Sequence, residues 1–186
     1  MLGRHPRRQE LRQLVAHLRR GGVIAYPTEG VWGLGCDPRQ RRALRRILHL
    51  KKRPQYQGVL LIAGRSSETS RYWSEAGVPA ARLAEYWPGT TLVLPARPQV
   101  PVWIRGRHHS VAVRVSQHLG VCALTRAFGG AIVSTSANRA GQQPARDLRT
   151  IRRYFGAHIP VLHARLGGQR RPSRIVDARS GQILRR

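Results

Sequence analysis

Residues 22–38 read GVIAYPTEGVWGLGCDP. The first five, GVIAY, form a short unbroken apolar run, the pattern of a strand covered on both faces. The remainder, residues 27–38, predicts a turn-rich loop carrying Gly30, Gly33 and Gly35. A polar loop that opens directly off a buried strand is where open α/β sheets hold ligands. Upstream, Leu11, Leu14, Val15 and Leu18 recur at helical spacing, and Gly21-Gly22 ends that helix. Downstream, residues 40–50 repeat the helical pattern with Leu44, Ile47 and Leu48 inward. A strand between two amphipathic helices is the start of an α/β domain.

The alternation continues to the end of the chain. Residues 59–63, 91–95, 111–115 and 131–134 are rich in Val, Leu and Ile and read as strands. Residues 80–86, 121–128 and 148–155 read as helices, and 161–163 and 174–176 as late strands. No repeat or low-complexity linker interrupts the pattern, and 186 residues suit one domain with a sizeable core. The expectation is a single α/β domain over 1–186, with a mixed sheet and flanking helices.

Composition narrows the partners. An apolar share of 41% with 23% charged residues is globular, but the net charge of +26 is extreme. Such a chain attracts polyanions: RNA, ATP or an anionic membrane surface. The arginines run from Arg4 to Arg186, so a solvated arginine-coated surface accounts for the charge equally well. RNA affinity follows from the charge; RNA specificity does not. Cys36 and Cys122 make no CxxC pair and read as small apolar groups. The basic stretch 1–10 lacks the apolar segment of a secretory signal, and no run of 18 apolar residues exists. A cytoplasmic protein without a membrane segment is expected.

Two short stretches carry the strongest chemistry. Lys51-Lys52-Arg53-Pro54 holds the only two lysines among 34 basic residues, directly after a helix. A lysine is a compact phosphate-binding point charge where an arginine is a planar fork. The same cations also suit the negative end of the helix dipole. Ser134-Thr135-Ser136-Ala137-Asn138 sets small hydroxyl and amide groups after an apolar run. Ser136 and Asn138, two apart, either reach one ligand together or shape a turn. Cations with such donors are what a nucleoside triphosphate needs.

Three further residues stand out. Arg114 interrupts the apolar strand 111–115, on the face it shares with Ala112, and points either into an anion-binding cleft or to a wet sheet face; the cleft is the expectation. Glu29, one of eight acids, either orients an ammonium group or a hydrated metal, or pairs with an arginine. Thr28 either donates to a ligand or caps its turn. His108-His109 has no third ligand at sensible spacing, so no metal site is expected, and no nucleophile elbow or Ser/His/Asp set is visible. An enzyme of this kind works by positioning and electrostatics.

Taken together, these stretches resemble the YrdC family, its short bacterial branch most closely. The matching pieces stand in family order. They are residues 26–38 (YPTEGVWGLGCDP), 51–54 (KKRP), 87–89 (WPG), 110–115 (SVAVRV), 134–138 (STSAN) with Gly141, and 172–177 (PSRIVD). The resemblance implies a twisted sheet around a concave, positively charged cavity. It implies synthesis of threonylcarbamoyl-AMP and pyrophosphate from ATP, with magnesium, L-threonine and bicarbonate, for tRNA modification beside the anticodon.

By that resemblance Lys51 and Arg53 hold the ATP phosphates. Ser136 and Asn138 contact the nucleotide with Ser110 nearby, and Ser173 closes its end. Arg114, Ser134 and Thr28 form the threonine side, the arginine taking the carboxylate. Partners implied are tRNA or other RNA through the basic surface, and downstream threonylcarbamoyl-transferase proteins. A second Thr of longer relatives is Gly30 here and a His is Ile62, as in the short branch, and the extra C-terminal domain of longer relatives is not expected. The family's PGP turn is shortened, Gly89 running straight into Thr90-Thr91. The main rival reading is a non-catalytic RNA-binding protein using the same cationic cavity. A carbamoyl-transfer domain of the hydrogenase-maturation type is a second rival.

Overall fold

A computed structural model describes residues 6–169 and 173–185. Pro172, in the last of the family-like stretches, and the start of the basic N-terminal stretch (1–5) lie outside them. Strand β1 (Val23–Pro27) is buried along its whole length. Its side chains alternate between two cores, as the two-residue period of a strand requires. Ile24 and Tyr26 join Leu14, Val15 and Leu18 of helix α1 (Arg8–Arg19) on one side. Val23 and Ala25 join Ala43, Leu44, Ile47 and Leu48 of helix α2 (Arg41–Lys51) on the other. That is why GVIAY shows no polar alternation: neither face meets water.

The other strands are β2 (Trp32–Cys36), β3 (Leu60–Ala63), β4 (Thr91–Pro95), β5 (Ser110–Val115), β6 (Ile132–Ser136), β7 (Ile175–Asp177) and β8 (Ile183–Arg185). They form one sheet in the order β1-β2-β6-β3-β5-β4-β7-β8. Only β3–β5 and β4–β7 pair in parallel; the other neighbours are antiparallel, so the sheet is mixed as expected. Helices α3 (Ala80–Tyr86), α4 (Val102–Arg105), α5 (Leu119–Phe128) and α6 (Leu148–Phe155) complete the domain. Asp147 caps α6 by accepting from the Thr150 amide at 2.6 Å.

Two expectations are corrected, and one strand is added. Of the segment 27–38 predicted as a turn-rich loop, residues 28–31 do turn, but 32–36 form β2, held between β1 and β6. Its glycines are there for closeness rather than for turning. Tyr26 lies across from Gly33, and a Cβ on Gly33 would stand 3.1 Å from the tyrosine ring. One on Gly35 would stand 2.8 Å from that ring and 2.8 Å from the Val133 carbonyl oxygen. Glycine inside a strand marks such a close approach. Residues 161–163 form only an isolated bridge from Val161 to Ala25 instead of a strand. The terminal strand β8, exposed throughout, was not anticipated. At the shortened turn, Gly89 adopts φ +109° and its amide donates to the Val115 carbonyl, which carries the chain into β4.

Candidate active site

A cavity of about 640 Å³ is lined by residues from strands β2 to β8. Thr28, Arg53, Ser110, Arg114, Ser134, Ser136 and Ser173 all line it. The fold gathers them from distant parts of the chain. Alternation along β5 turns Ser110, Ala112 and Arg114 to the cavity, while Val113 sits in the core. Thr28 follows β1, Arg53 follows α2 and Ser173 precedes β7.

Arg114 is 8% exposed and lines the cavity, so it does not lie on a wet sheet face. Its Nη2 donates to Glu29 Oε2 at 2.8 Å. Glu29 Oε1 accepts from Ser116 Oγ at 2.7 Å and from the Gln117 amide at 3.2 Å. Glu29 is thus the structural partner of an arginine, one of the two roles open to it from sequence. The pair fixes the guanidinium, and its Nε–H is buried without a partner in the protein. Such an orphaned donor beside a cavity suits a carboxylate or phosphate oxygen.

Ser134 is oriented from behind. Tyr26, fully buried, donates its hydroxyl to Ser134 Oγ at 2.6 Å. Burial raises the tyrosine's ionisation well above its ordinary value, so the phenol remains a donor. Ser134 must then use its own proton elsewhere, toward the cavity it lines. Thr28 behaves differently. Its hydroxyl donates to the Val31 carbonyl at 2.7 Å, so the capping role is the one the structure displays.

Lys51 and Asn138 are absent from the lining, and they form a layer behind Ser136. The Lys51 ammonium donates to the Ser136 carbonyl at 2.5 Å and to both the carbonyl and Oδ1 of Asn138 at 3.0 Å. All three of its protons are therefore engaged. Ser136 Oγ donates to the same Asn138 Oδ1 at 2.7 Å, and Asn138 Nδ2 donates to Arg139 and Gln142 carbonyls. Burial, and after it the charge of Arg53, bring the Lys51 pKa down to about 8. Arg53 itself faces the cavity. Its Nη2 donates to the Gly58 carbonyl at 2.9 Å, and its Nε–H is buried without a partner.

Gln57, Arg105, Gln169 and Arg185 line the cavity and escaped the sequence reading. Arg185 of β8 lines the cavity, donates to the Ser173 carbonyl at 2.9 Å and has its pKa lowered by burial and then by the charge of Arg114. Nothing local distinguishes it from the chain's many other arginines. Ser173 Oγ in turn lies 3.1 Å from Thr91 Oγ1. His108 and His109 are exposed in a turn. Among the described residues no three His, Cys, Asp or Glu side chains cluster to hold a metal. Asp177, the one described acid lining the cavity, accepts at Oδ1 from the Arg179 and Ser180 amides.

Comparison with known proteins identifies the family. The Sua5, YciO and YrdC family model, described as telomere recombination, matches residues 16–186. The threonylcarbamoyl-AMP synthase of Halorhodospira halophila is 50% identical over 95% of this chain and 94% of its own length. That of Marinobacter nauticus is 52% identical over 89% of each. Among solved structures, P. abyssi Sua5 complexed with L-threonine superposes with a TM-score of 0.76 at 26% identity. That match covers 90% of this chain but only 50% of the Sua5 chain, so this protein spans about half of Sua5. E. coli YciO matches in fold, with a TM-score of 0.81 at 24% identity over 97% of this chain and 92% of its own. With nearly the whole chain matched by the family model and half its residues shared with curated members, the protein belongs to the Sua5/YciO/YrdC family.

Proposed function

We infer that the protein is a nucleotidyltransferase that makes threonylcarbamoyl-AMP and releases pyrophosphate from ATP. The observation that carries this reading is the half-identity to synthases of that name over nearly the full chain. The cavity agrees with it: buried guanidinium donors without protein partners stand at Arg114 and Arg53, with the hydroxyls of Ser110, Ser134, Ser136 and Ser173 around them.

The remaining details are our proposal. Threonine's amine and bicarbonate condense, with loss of water, to N-carboxythreonine. Its new carboxylate attacks the α-phosphorus of ATP as the bond to pyrophosphate breaks. Arg114, locked by Glu29, takes the amino-acid carboxylate, and Ser134 donates beside it near Thr28. Arg53 meets the phosphates, Lys51 adds its charge from behind the loop, and Ser110, Ser136, Asn138 and Ser173 frame the nucleotide. Magnesium arrives as part of the ATP substrate, held by phosphate oxygens and water, as this ion prefers. The product passes to threonylcarbamoyl-transferase proteins acting on tRNA in the cytoplasm. No helix among the described residues is long and apolar enough to cross a membrane.

The test is pyrophosphate release from ATP with L-threonine and bicarbonate omitted in turn. Release that requires both is the expected result. Release that ignores threonine would overturn the assignment.

A further inference from the structure

Two arginine–carboxylate pairs in this fold are made differently. Just before α2, Arg39 grips Asp37 with two prongs: Nε donates to Oδ1 at 3.0 Å and Nη2 to Oδ2 at 2.8 Å. Such forked pairing is the favoured meeting of a guanidinium with a carboxylate. Arg114 and Glu29 do not adopt it. Only Nη2 reaches the acid, at Oε2, and Nε, on the same edge of the guanidinium, is buried without a protein partner. A fork left on one prong needs a cause, because a second bond would satisfy that buried N–H.

The cause lies at the other oxygen of the carboxylate. Ser116, 1% exposed and one residue beyond β5, donates its hydroxyl to Glu29 Oε1 at 2.7 Å. The Gln117 amide donates to the same oxygen at 3.2 Å. Ser116 is itself fixed on every side. Its amide donates to the Ala63 carbonyl at 2.8 Å, its carbonyl accepts from Cys122 Sγ at 3.2 Å, and its Oγ accepts from the amide of His118, the cap of α5, at 3.2 Å. A serine hydroxyl has one proton to give. With His118 on its acceptor side, that proton is committed to Glu29. The acid's backbone is held as well: its carbonyl accepts from the Gln169 amide at 2.9 Å, and a Cβ on Gly167 would stand 2.5 Å from its Cα. Glu29 therefore offers Arg114 only Oε2.

We propose that Ser116 is a positioning residue: by holding Glu29 Oε1 it keeps the Arg114–Glu29 pair at a single contact and reserves the Arg114 Nε–H for the carboxylate of the amino-acid substrate. The identity of that ligand rests on the function proposed above, whereas the restraint rests on the hydrogen bonds alone. Without the hydroxyl the carboxylate is free to fork onto Nε and Nη2, as Asp37 does on Arg39. That would satisfy the arginine inside the protein and take away the donor meant for the ligand. The loss falls on substrate affinity more than on folding, because the buried ion pair survives it.

The test is steady-state pyrophosphate release by the full-length protein with threonine varied, beside calorimetric titration of L-threonine. Wild-type release that requires threonine establishes the reaction first, so a flat variant then counts against Ser116 and not against the reaction. Ser116→Ala is expected to raise the KM for threonine, and the calorimetric Kd with it, about 3- to 10-fold, the worth of one hydrogen bond. Its kcat and its KM for ATP should stay within about twofold of wild type, the signature of lost substrate binding alone. Ser116→Thr, which keeps the hydroxyl, should restore most of the affinity. Thr69→Ala is the structural control: Thr69 is fully buried, lies outside the cavity lining and accepts from Trp73 Nε1 at 2.9 Å. Its Tm should fall further than that of Ser116→Ala while its threonine KM matches wild type. An unchanged threonine KM in Ser116→Ala would overturn the proposal. So would a Ser116→Thr protein of wild-type Tm that binds as weakly as Ser116→Ala, or an equal rise in KM in Thr69→Ala.

Discussion

Arg114 and Lys51 are both buried cations at 8% exposure, yet they are held in opposite ways. Arg114 meets a carboxylate, so its charge is balanced and its geometry fixed, and its buried Nε–H remains without a protein partner. Lys51 meets only neutral oxygens, so its charge is unbalanced while every proton is engaged. On the proposed function the first contacts a ligand. The second holds the 136–138 loop. The identity of the cation follows: a planar fork pairs with a carboxylate and still has donors to offer, whereas an ammonium converges on three oxygens of one loop.

The largest effect tests the first half of that contrast. Arg114→Ala strands Glu29 in a buried position and removes the donor assigned to threonine. The KM for threonine should rise about 10- to 100-fold, the worth of a hydrogen bond to a charged group. Folding stability should fall by about 3 to 5 kcal/mol, as when one partner of a buried ion pair is removed. An unchanged threonine KM in steady-state assays would place the carboxylate elsewhere.

The next effect asks whether Lys51 acts by placement or by charge. Lys51→Ala and Lys51→Arg should lower kcat/KM by similar factors of about ten or more, because the arginine fork cannot reproduce three convergent donors. A near-wild-type Lys51→Arg would show that charge outweighs placement and break the contrast. The pH profile sharpens it. Lys51 is an ammonium below about 8, and activity should fall as pH rises through that value because a donor and the charge are lost. Its contribution to folding runs the other way. Between about 8 and the ordinary 10.5 the unfolded chain binds a proton that the folded chain has released, so Lys51 makes the fold more stable as pH rises across that window. The basic limb of activity should vanish from the Lys51→Ala profile.

The smallest effect probes the layer behind Arg114. Ser134→Ala leaves the buried Tyr26 hydroxyl without its partner and should cost about 1 to 3 kcal/mol. For a chain of this size that is a fall in Tm of about 2 to 4 °C per kcal/mol, seen by calorimetry. Adding Tyr26→Phe should restore most of it, since removing both partners leaves nothing unsatisfied. No recovery would mean that Ser134 stabilises by some other contact.

Much of this was legible in the residues, and the exceptions have physical causes. Strand 91–95 and helices 80–86 and 148–155 keep their sequence-derived bounds, because period and composition agreed there. Strand β2 was hidden because glycine signals turning and close packing alike, and only the ring of Tyr26 across the sheet decides which. Strand β8 is three exposed residues whose order comes from pairing with β7. In the site, Arg114 could be singled out because a charge inside an apolar strand needs a reason. Arg185 could not, since an arginine near the end of an arginine-rich chain carries no such mark. Nor could the sequence say that Lys51 would turn to the Ser136–Asn138 loop, which lies 85 to 87 residues away.

The order of the sheet also has a meaning for synthesis on the ribosome. Strand β2 finds its second neighbour only when β6 has been made, and β4 its second neighbour only with β7. The cavity draws walls from Thr28 at one end of the chain and Arg185 at the other. Pairings this distant in sequence form late and slowly. A nascent chain therefore emerges with its apolar strands half partnered, and the cavity's walls meet only once Arg185 of β8 has joined Thr28 across the fold.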